Sequence, residues 1–410
     1  IGLFVGALLN WIIVAPRLRE QTERYNNSLT IPSFLANRFP SQATALRMVS
    51  AIIIVVFFAV YTASGLVGGG KLVQSAFDGN YQVGVWLTLG VVLAYTVVGG
   101  FLAVSLTDFC QGVIMMLALV IMPIIVLYAG DGGGFDQAAG TLREVDSSYL
   151  SLTEGLTAIG WLSAVTWGLG YFGQPHIIVR FMAVRSVKEV AAARNIGMTW
   201  MAISLVGAIG VGILGRAYAE RNGVNVEDSE TIFIVLADLL FHPLVTGFLY
   251  AALLAAIMST VSSQLLVSSS SLSEDFYRLV LSRKPSETEI VNIGRLAVVA
   301  VGVVAAFIAR NPDSNVLSLV SNAWAGFGAA FGPLIILALT WSRMTGAGAI
   351  AGLVTGAVTV IVWITLGWNG SFLGGPGIYE IIPGFILAFA AIVAVSLATE
   401  ASGEFRAAKT

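Results

Sequence analysis

The sequence predicts an all-α polytopic membrane protein. Three observations predict it. Of its 410 residues, 11% are charged and 57% hydrophobic, with a mean hydropathy of +0.87; a soluble domain carries roughly a quarter charged residues. Apolar stretches long enough for the hydrocarbon core, ~20 residues each, recur about eleven times. Basic residues crowd onto alternate connections between those stretches, as the positive-inside rule requires.

The spans fall at 1–16, 48–70, 82–103, 108–129, 156–178, 195–215, 244–270, 291–309, 315–341, 347–367 and 381–398. The longest polar segments between them are 17–46, 130–155, 216–243 and 274–290, none of which reads as a soluble domain. The chain opens on Ile1 inside an apolar run, with no initiator Met and no signal-peptide pattern, and reads as a fragment lacking its N-terminus. If Ile1 lies outside, the inner side receives Arg17, Arg19, Arg24, Arg38 and Arg47, then Arg180, Arg185, Lys188 and Arg194. It also receives Arg278, Arg283, Lys284 and Arg295, then Arg343, Arg406 and Lys409. These are about sixteen of the 21 basic residues, and an odd number of spans leaves the C-terminus inside. The outer segment 130–155 is acidic, with Asp131, Asp136, Glu144, Asp146 and Glu154.

Three connections carry patterns of their own. Ser229–Leu240 is amphipathic and opens on Ser–Glu–Thr, which predicts an outer surface helix able to act as a lid. Ser186–Arg194 predicts a short inner helix. Arg24–Pro40, with Asn26, Asn27, Pro32 and Pro40, predicts a structured inner loop.

Composition excludes several classes. One cysteine, Cys110, permits neither an internal disulfide nor a cysteine-rich metal site. Two histidines, His176 and His242, are too few for a zinc or haem protein. No phosphate-binding loop, metalloprotease spacing or nucleophile–base pair occurs, and the aqueous segments are too short for an ATPase. The protein is therefore not predicted to be an enzyme, and nothing marks it for nucleic acid or an obligatory protein partner. Transport driven by an ion gradient is favoured.

The residues that could carry such transport begin with Ala255–Glu274. Here Ala256, Ser259, Thr260 and Ser263 lie at i, i+3, i+4 and i+7, on one helical face. Neutral hydroxyl and carbonyl oxygens at membrane depth suit a dehydrated monovalent cation. Small residues also let membrane helices pack closely, and both readings stand at this point. Trp161–Pro175 places Gly168, Gly170 and Gly173 before a proline. That pattern predicts a discontinuous helix, whose free backbone is tolerated only where it lines a cavity; Trp167, Tyr171 and Phe172 surround the break. Close packing on glycine is the alternative. Asn322–Pro333 is a second glycine-broken stretch, with Trp324, Phe327 and Phe331, and reads either as a hinge or as packing. Asp108 is an ionisable group at the edge of a span, or an N-cap beside Thr107. Tyr61 is a lone hydroxyl on an apolar helix, and His176 reads as a structural hydrogen-bonder.

YNNSLTIPSFLANRF, GGFLAVSLTDFCQ, WGLGYFGQPHIIVRFMA, AAIMSTVSSQLL, AWAGFGAAFGP, WSRMTGAGAIAG and YEIIPGF, in this order, resemble the sodium/solute symporter family, most closely its bacterial proline-carrying members. The similarity covers essentially the whole chain. It implies a fold of the leucine-transporter type, with two inverted five-helix repeats. About eleven of an expected thirteen spans are then visible, and two precede Ile1. Residues 1–129 would hold the last four helices of the first repeat, 156–341 the second repeat, and 347–398 two C-terminal helices of one transmembrane domain. The resemblance implies sodium-coupled symport of L-proline into the cell, across a bacterial cytoplasmic membrane, by alternating access. The co-transported ion is sodium, and the partners are the substrate and the bilayer. Another small amino or carboxylic acid, or the transporter-like domain of a sensor, are the alternatives. Sodium is implied at Ala256, Ser259 and Thr260, completed by backbone of the broken helix that precedes Ile1. A second sodium site is implied at Asp108, Ser259, Ser262 and Ser263. Substrate is implied at Tyr61, Trp167, Tyr171 and Pro175, and an outer gate at Trp324 and Phe331.

Overall fold

The computed structural model describes residues 1–28, 30–128, 134–280 and 285–400. Asp131, Arg283, Lys284, Arg406, Lys409 and the expected inside C-terminus lie outside the described residues. Among the described residues ten helices are long and apolar enough to cross a membrane. The eleventh predicted stretch, 156–178, is absent from that set because its helix breaks in the middle.

Helix α1 (Gly2–Arg24) is widened by a π-turn at Asn10–Val14, which turns the buried Asn10 side chain toward a neighbour. Helix α2 (Ile31–Arg38) lies within the predicted inner loop; Thr30 caps it by accepting from Ser33 N–H. Helix α3 (Ala43–Phe77) is longer than the hydrocarbon core is thick at ~1.5 Å per residue, and its ends carry Arg47 and Lys71. It stops at Asp78, in the left-handed conformation.

Helix α4 (Tyr81–Tyr128) keeps helical backbone throughout, yet its halves run in opposite directions. Tyr81 Oη donates to the Ala309 carbonyl, and Val97 accepts from Arg295 at the other end. Val126 then packs with Leu249 and Tyr250, back at the first end. The reversal falls near Gly99, where a glycine pair lets the helix bend. Both expected spans thus exist without a loop between them. Asp108 lies inside the helix, so it is not an N-cap.

After the short α5 (Gly134–Val145) comes the interrupted span. Helix α6 (Ala158–Thr166) gives way to a 3₁₀ stretch at Trp167–Phe172, and α7 (Pro175–Ala183) resumes after an extended Gln174. Proline at the first position of α7 lacks only an N–H that would have no helical partner. Helix α8 (Val190–Asn222) follows. The predicted short helix at Ser186–Arg194 is not separate: its 3₁₀ turn, Val187–Glu189, runs straight into α8. Helix α9 (Ile232–Leu240) is the predicted surface helix, with Ile234, Leu236 and Ala237 buried.

Helix α10 (Pro243–Ser270) ends in a π-turn at Ser271–Tyr277. Then come α11 (Glu287–Ile308), α12 (Val316–Thr340), α13 (Gly346–Thr365) and α14 (Ile381–Glu400). Helix α12 is the centre of the molecule. Its Phe327, Phe331, Leu334 and Ile335 are fully buried in the main core, with Phe58 of α3 and Phe181 of α7. Large apolar side chains on the periphery, such as Leu102, Val206 and Leu244, stand exposed, as lipid-facing residues must.

The connections segregate to two ends. At the arginine-rich end Arg19, Arg47, Arg180, Arg185 and Arg278 ring one cavity of about 970 Å³. At the opposite end Lys71 holds Asp228 and Glu230.

Candidate functional site

The site is built around the interrupted span. Trp167–Phe172 packs backbone to backbone against α1: a Cβ on Gly6 would sit 2.2 Å from the Gly168 carbonyl oxygen. Asn10 donates from Nδ2 to the Tyr171 carbonyl over 2.9 Å, satisfying one backbone group freed by the break. On the other side stands α12. Trp324 Nε1 donates to the Trp167 carbonyl over 2.8 Å, and Gln174 Nε2 donates to the Trp324 carbonyl over 3.2 Å. Gly170 permits this approach, since a Cβ there would lie 1.7 Å from Trp324 Nε1.

These contacts assemble an aromatic box. Tyr171 meets Trp324 edge-on with ring centroids 4.9 Å apart, and Tyr61 meets Trp324 at 6.5 Å. Trp167 stacks on Tyr379 at 5.5 Å. Tyr61 and Phe58 both pack edge-on against His176, at 5.8 and 5.6 Å. His176 is thus a member of the box. Its Nδ1 has no hydrogen-bond partner among the described residues, so the expected structural hydrogen bond is not formed there. Tyr61, Trp167, Tyr171 and Trp324 therefore share one place. Pro175 starts α7 beside it and lines the large cavity with His176. Phe331 sits two turns further along α12, fully buried at 6.4 Å from Phe327 and away from any opening.

The small-residue face lies on α10. The Ala256 carbonyl accepts from Ser259 Oγ and from Thr260 Oγ1, each over 3.1 Å. Three oxygens from Ala256, Ser259 and Thr260 therefore converge. Both hydroxyls remain half-buried and can rotate toward a ligand.

Asp108 approaches the same helix one turn further on. Ser263 Oγ donates to Asp108 Oδ2 over 2.9 Å. Ser259 and Ser262 do not join them: the Ser262 hydroxyl donates to the Ser259 carbonyl over 3.1 Å. The third member is Arg180 of α7. Its Nη2 donates to both Asp108 Oδ2 and Ser263 Oγ, the latter over 2.8 Å. Asp108 Oδ1 has no partner among the described residues. Sequence reasoning missed Arg180 as a site residue, because it counted only as one of many basic residues marking the inner side. Asn10, Gln174 and Tyr379 were missed as well. Asn10 and Gln174 are uncharged amides at membrane depth, a signal that could have found them; Tyr379 stands in the YEIIPGF motif.

An all-helical membrane fold with a broken central helix, packed between α1 and the aromatic α12, defines a secondary transporter. The model of the sodium:solute symporter family matches residues 1–356, and the chain belongs to that family. It is 51% identical to the high-affinity proline transporter PutP of Bacillus subtilis over 404 residues, which are 98% of this chain and 84% of that protein. It is 50% identical to the osmoregulated proline transporter OpuE of the same organism, over 98% of this chain and 80% of that one. A sodium/proline symporter of Staphylococcus aureus is 49% identical, over 99% of this chain and 79% of its own length. Among solved structures, a sodium-coupled sialic acid symporter in a substrate-bound outward-open state superposes with a TM-score of 0.77 at 18% identity, covering 97% of this chain and 83% of that one. That likeness shows the fold, which is of the leucine-transporter type.

Proposed function

We propose that the chain imports L-proline across a bacterial cytoplasmic membrane, coupled to sodium entry. The observation that carries this is identity of about half, over nearly the whole chain, to three proteins each named as a proline transporter or symporter. The arginine-rich end is then cytoplasmic and the Lys71 end external, with the C-terminus inside. Residues 1–129, 156–341 and 347–398 divide into the last four helices of a first repeat, the second repeat and two further helices.

Each named residue has a role in this reading. Sodium sits against Ala256, Ser259 and Thr260, whose neutral oxygens replace part of its water shell without holding it irreversibly. A second sodium draws on Asp108 and Ser263, and on Ser259 and Ser262 once their hydroxyls give up the bonds they make along α10. The substrate lies on Tyr61, Trp167, Tyr171 and Pro175. Aromatic faces suit its apolar ring and the cationic nitrogen, while the backbone freed at the break offers donors and acceptors to its charged ends. Trp324 and Phe331 belong to the gating helix above it. Each sodium entering is driven by about 2.3 kcal/mol per 100 mV, in addition to its concentration gradient. Because sodium and substrate stabilise one arrangement of α10 and the broken helix, each tightens the other's binding.

Uptake of labelled proline into proteoliposomes is the direct test. Accumulation that needs an inward sodium gradient, and is competed by proline in preference to other amino and carboxylic acids, is the expected result. Accumulation that ignores sodium, or another solute competing better, overturns the reading.

A further inference from the structure

A second, smaller pocket of about 360 Å³ lies at the external end, directly above the Trp167–Tyr379 stack. Its walls come from α6, the first turns of α12 and the loop before α14. They present oxygen-bearing side chains: Ser163, Ser318, Ser321, Asn322 and Asn369. Glu380 also lines it, and Glu380 is 1% exposed. Its Oε1 has no hydrogen-bond partner, and no ion pair reaches it among the described residues. Burial raises its carboxyl above the ordinary glutamate range, with its own backbone N–H pulling the other way. An uncompensated buried carboxylate is costly, so it needs a counter-charge. The start of α14 beside it supplies only a partial positive charge. Other carboxylates in this fold have a counter-charge beside them: Asp275 has Arg47, Glu230 has Lys71, and Asp108 has Arg180 on one of its two oxygens. Glu380 alone among these faces a cavity with a free oxygen.

We infer that the pocket around Glu380 is an external cation subsite, which holds a small monovalent cation in the vestibule above the aromatic box. The carboxylate supplies the charge, and the serine and asparagine oxygens supply neutral ligands. Two cations of this chemistry reach the external face of the proposed symporter: sodium, and the protonated nitrogen of the substrate. The pocket is roomy enough for either. Its floor is Trp167, so a cation released from it meets the box next. This inference rests on the symport reading.

The test is Glu380→Gln in the full-length transporter, reconstituted in proteoliposomes. Glutamine keeps the shape and removes the charge. If sodium occupies the subsite, the sodium concentration for half-maximal uptake rises several-fold, while the KM for proline at saturating sodium is unchanged. If the substrate's ammonium occupies it, that KM rises several-fold even at saturating sodium. Glu380→Asp, which keeps the charge, should restore most of either loss. A Glu380→Gln protein with both half-saturation values at the wild-type level, or with only its maximal rate lowered, overturns the subsite. Should Glu380→Gln not fold, Ser318→Lys on the exposed first turn of α12 decides the matter. A tethered ammonium there should raise the same half-saturation value, and unchanged values overturn the inference. Wild-type protein without sodium-dependent uptake would instead defeat the symport reading.

Discussion

The indole N–H of Trp324 donates to the backbone carbonyl of Trp167 over 2.8 Å, and this bond ties α12 to the break in the helix opposite. The carbonyl is open to this bond because Trp167–Phe172 is 3₁₀ rather than α-helical. The substitution Trp324→Phe removes that bond, at a cost of about 0.5–1.5 kcal/mol. Substrate affinity, measured by binding in detergent, should fall at least several-fold, with sodium affinity changed less. An unchanged affinity would mean the bond plays no part in shaping the box.

Gly170 is where the two elements touch most closely. A methyl group there meets Trp324 Nε1 at 1.7 Å, so Gly170→Ala must push α12 away. Overpacking of this kind costs about 1–3 kcal/mol. The variant should melt several degrees lower and lose most uptake. Gly90→Ala makes the control, since a Cβ there meets nothing within 4 Å.

On α10, Thr260→Ala removes one of the two hydroxyls that converge on the Ala256 carbonyl. The sodium concentration for half-maximal uptake should rise by about tenfold, which corresponds to ~1.4 kcal/mol. Sodium titration of initial uptake rates measures it, and an unaltered curve removes Thr260 from the ion site.

Arg180 and Asp108 give a prediction with opposite signs. Their contact places a guanidinium on the carboxylate that the proposed second sodium would use. Asp108→Asn should therefore raise the half-saturating sodium concentration. Arg180→Gln should lower it, because a competing cation is gone. Curves shifted in the same direction would show the pair to be a structural strut.

At the end opposite the arginines Lys71 Nζ meets Asp228 at 2.6 Å and Glu230 at 2.7 Å, while Glu230 also accepts from the N–H groups of Val316 and Leu317 at the start of α12. Burial acts to raise the Asp228 carboxyl, but hydrogen bonds from Lys71 and the Glu230 N–H overcome it and hold it below the ordinary aspartate range. A group whose folded value is depressed contributes stability above its unfolded value, ~3.9, and loses it as pH falls through the lower folded value. The melting difference between wild type and Asp228→Asn should be constant from about pH 8 to 5 and close only below about pH 4. A difference that changes near neutral pH would point to another group.

By itself the sequence determined the membrane class, the positions of the spans and the place of the break. Those follow from local chemistry: apolar runs of bilayer length, glycine and proline that cannot sustain a buried helix, and arginines that stay on one side. The grouping of Ala256, Ser259 and Thr260 was also legible, because helical periodicity alone puts them on one face. Only the tertiary structure decided which distant groups meet. Nothing near Asp108 in the chain announces Arg180, 72 positions away, as its partner. Nothing local says that Ser263 reaches that carboxylate while Ser262 turns back to its own helix. The reversal of α4 near Gly99, the seat of Trp324 on the Trp167 carbonyl and the unpaired oxygen of Glu380 are likewise products of packing. A hydrogen bond or counter-charge between helices depends on their relative rotation, and that rotation is set by the whole core at once.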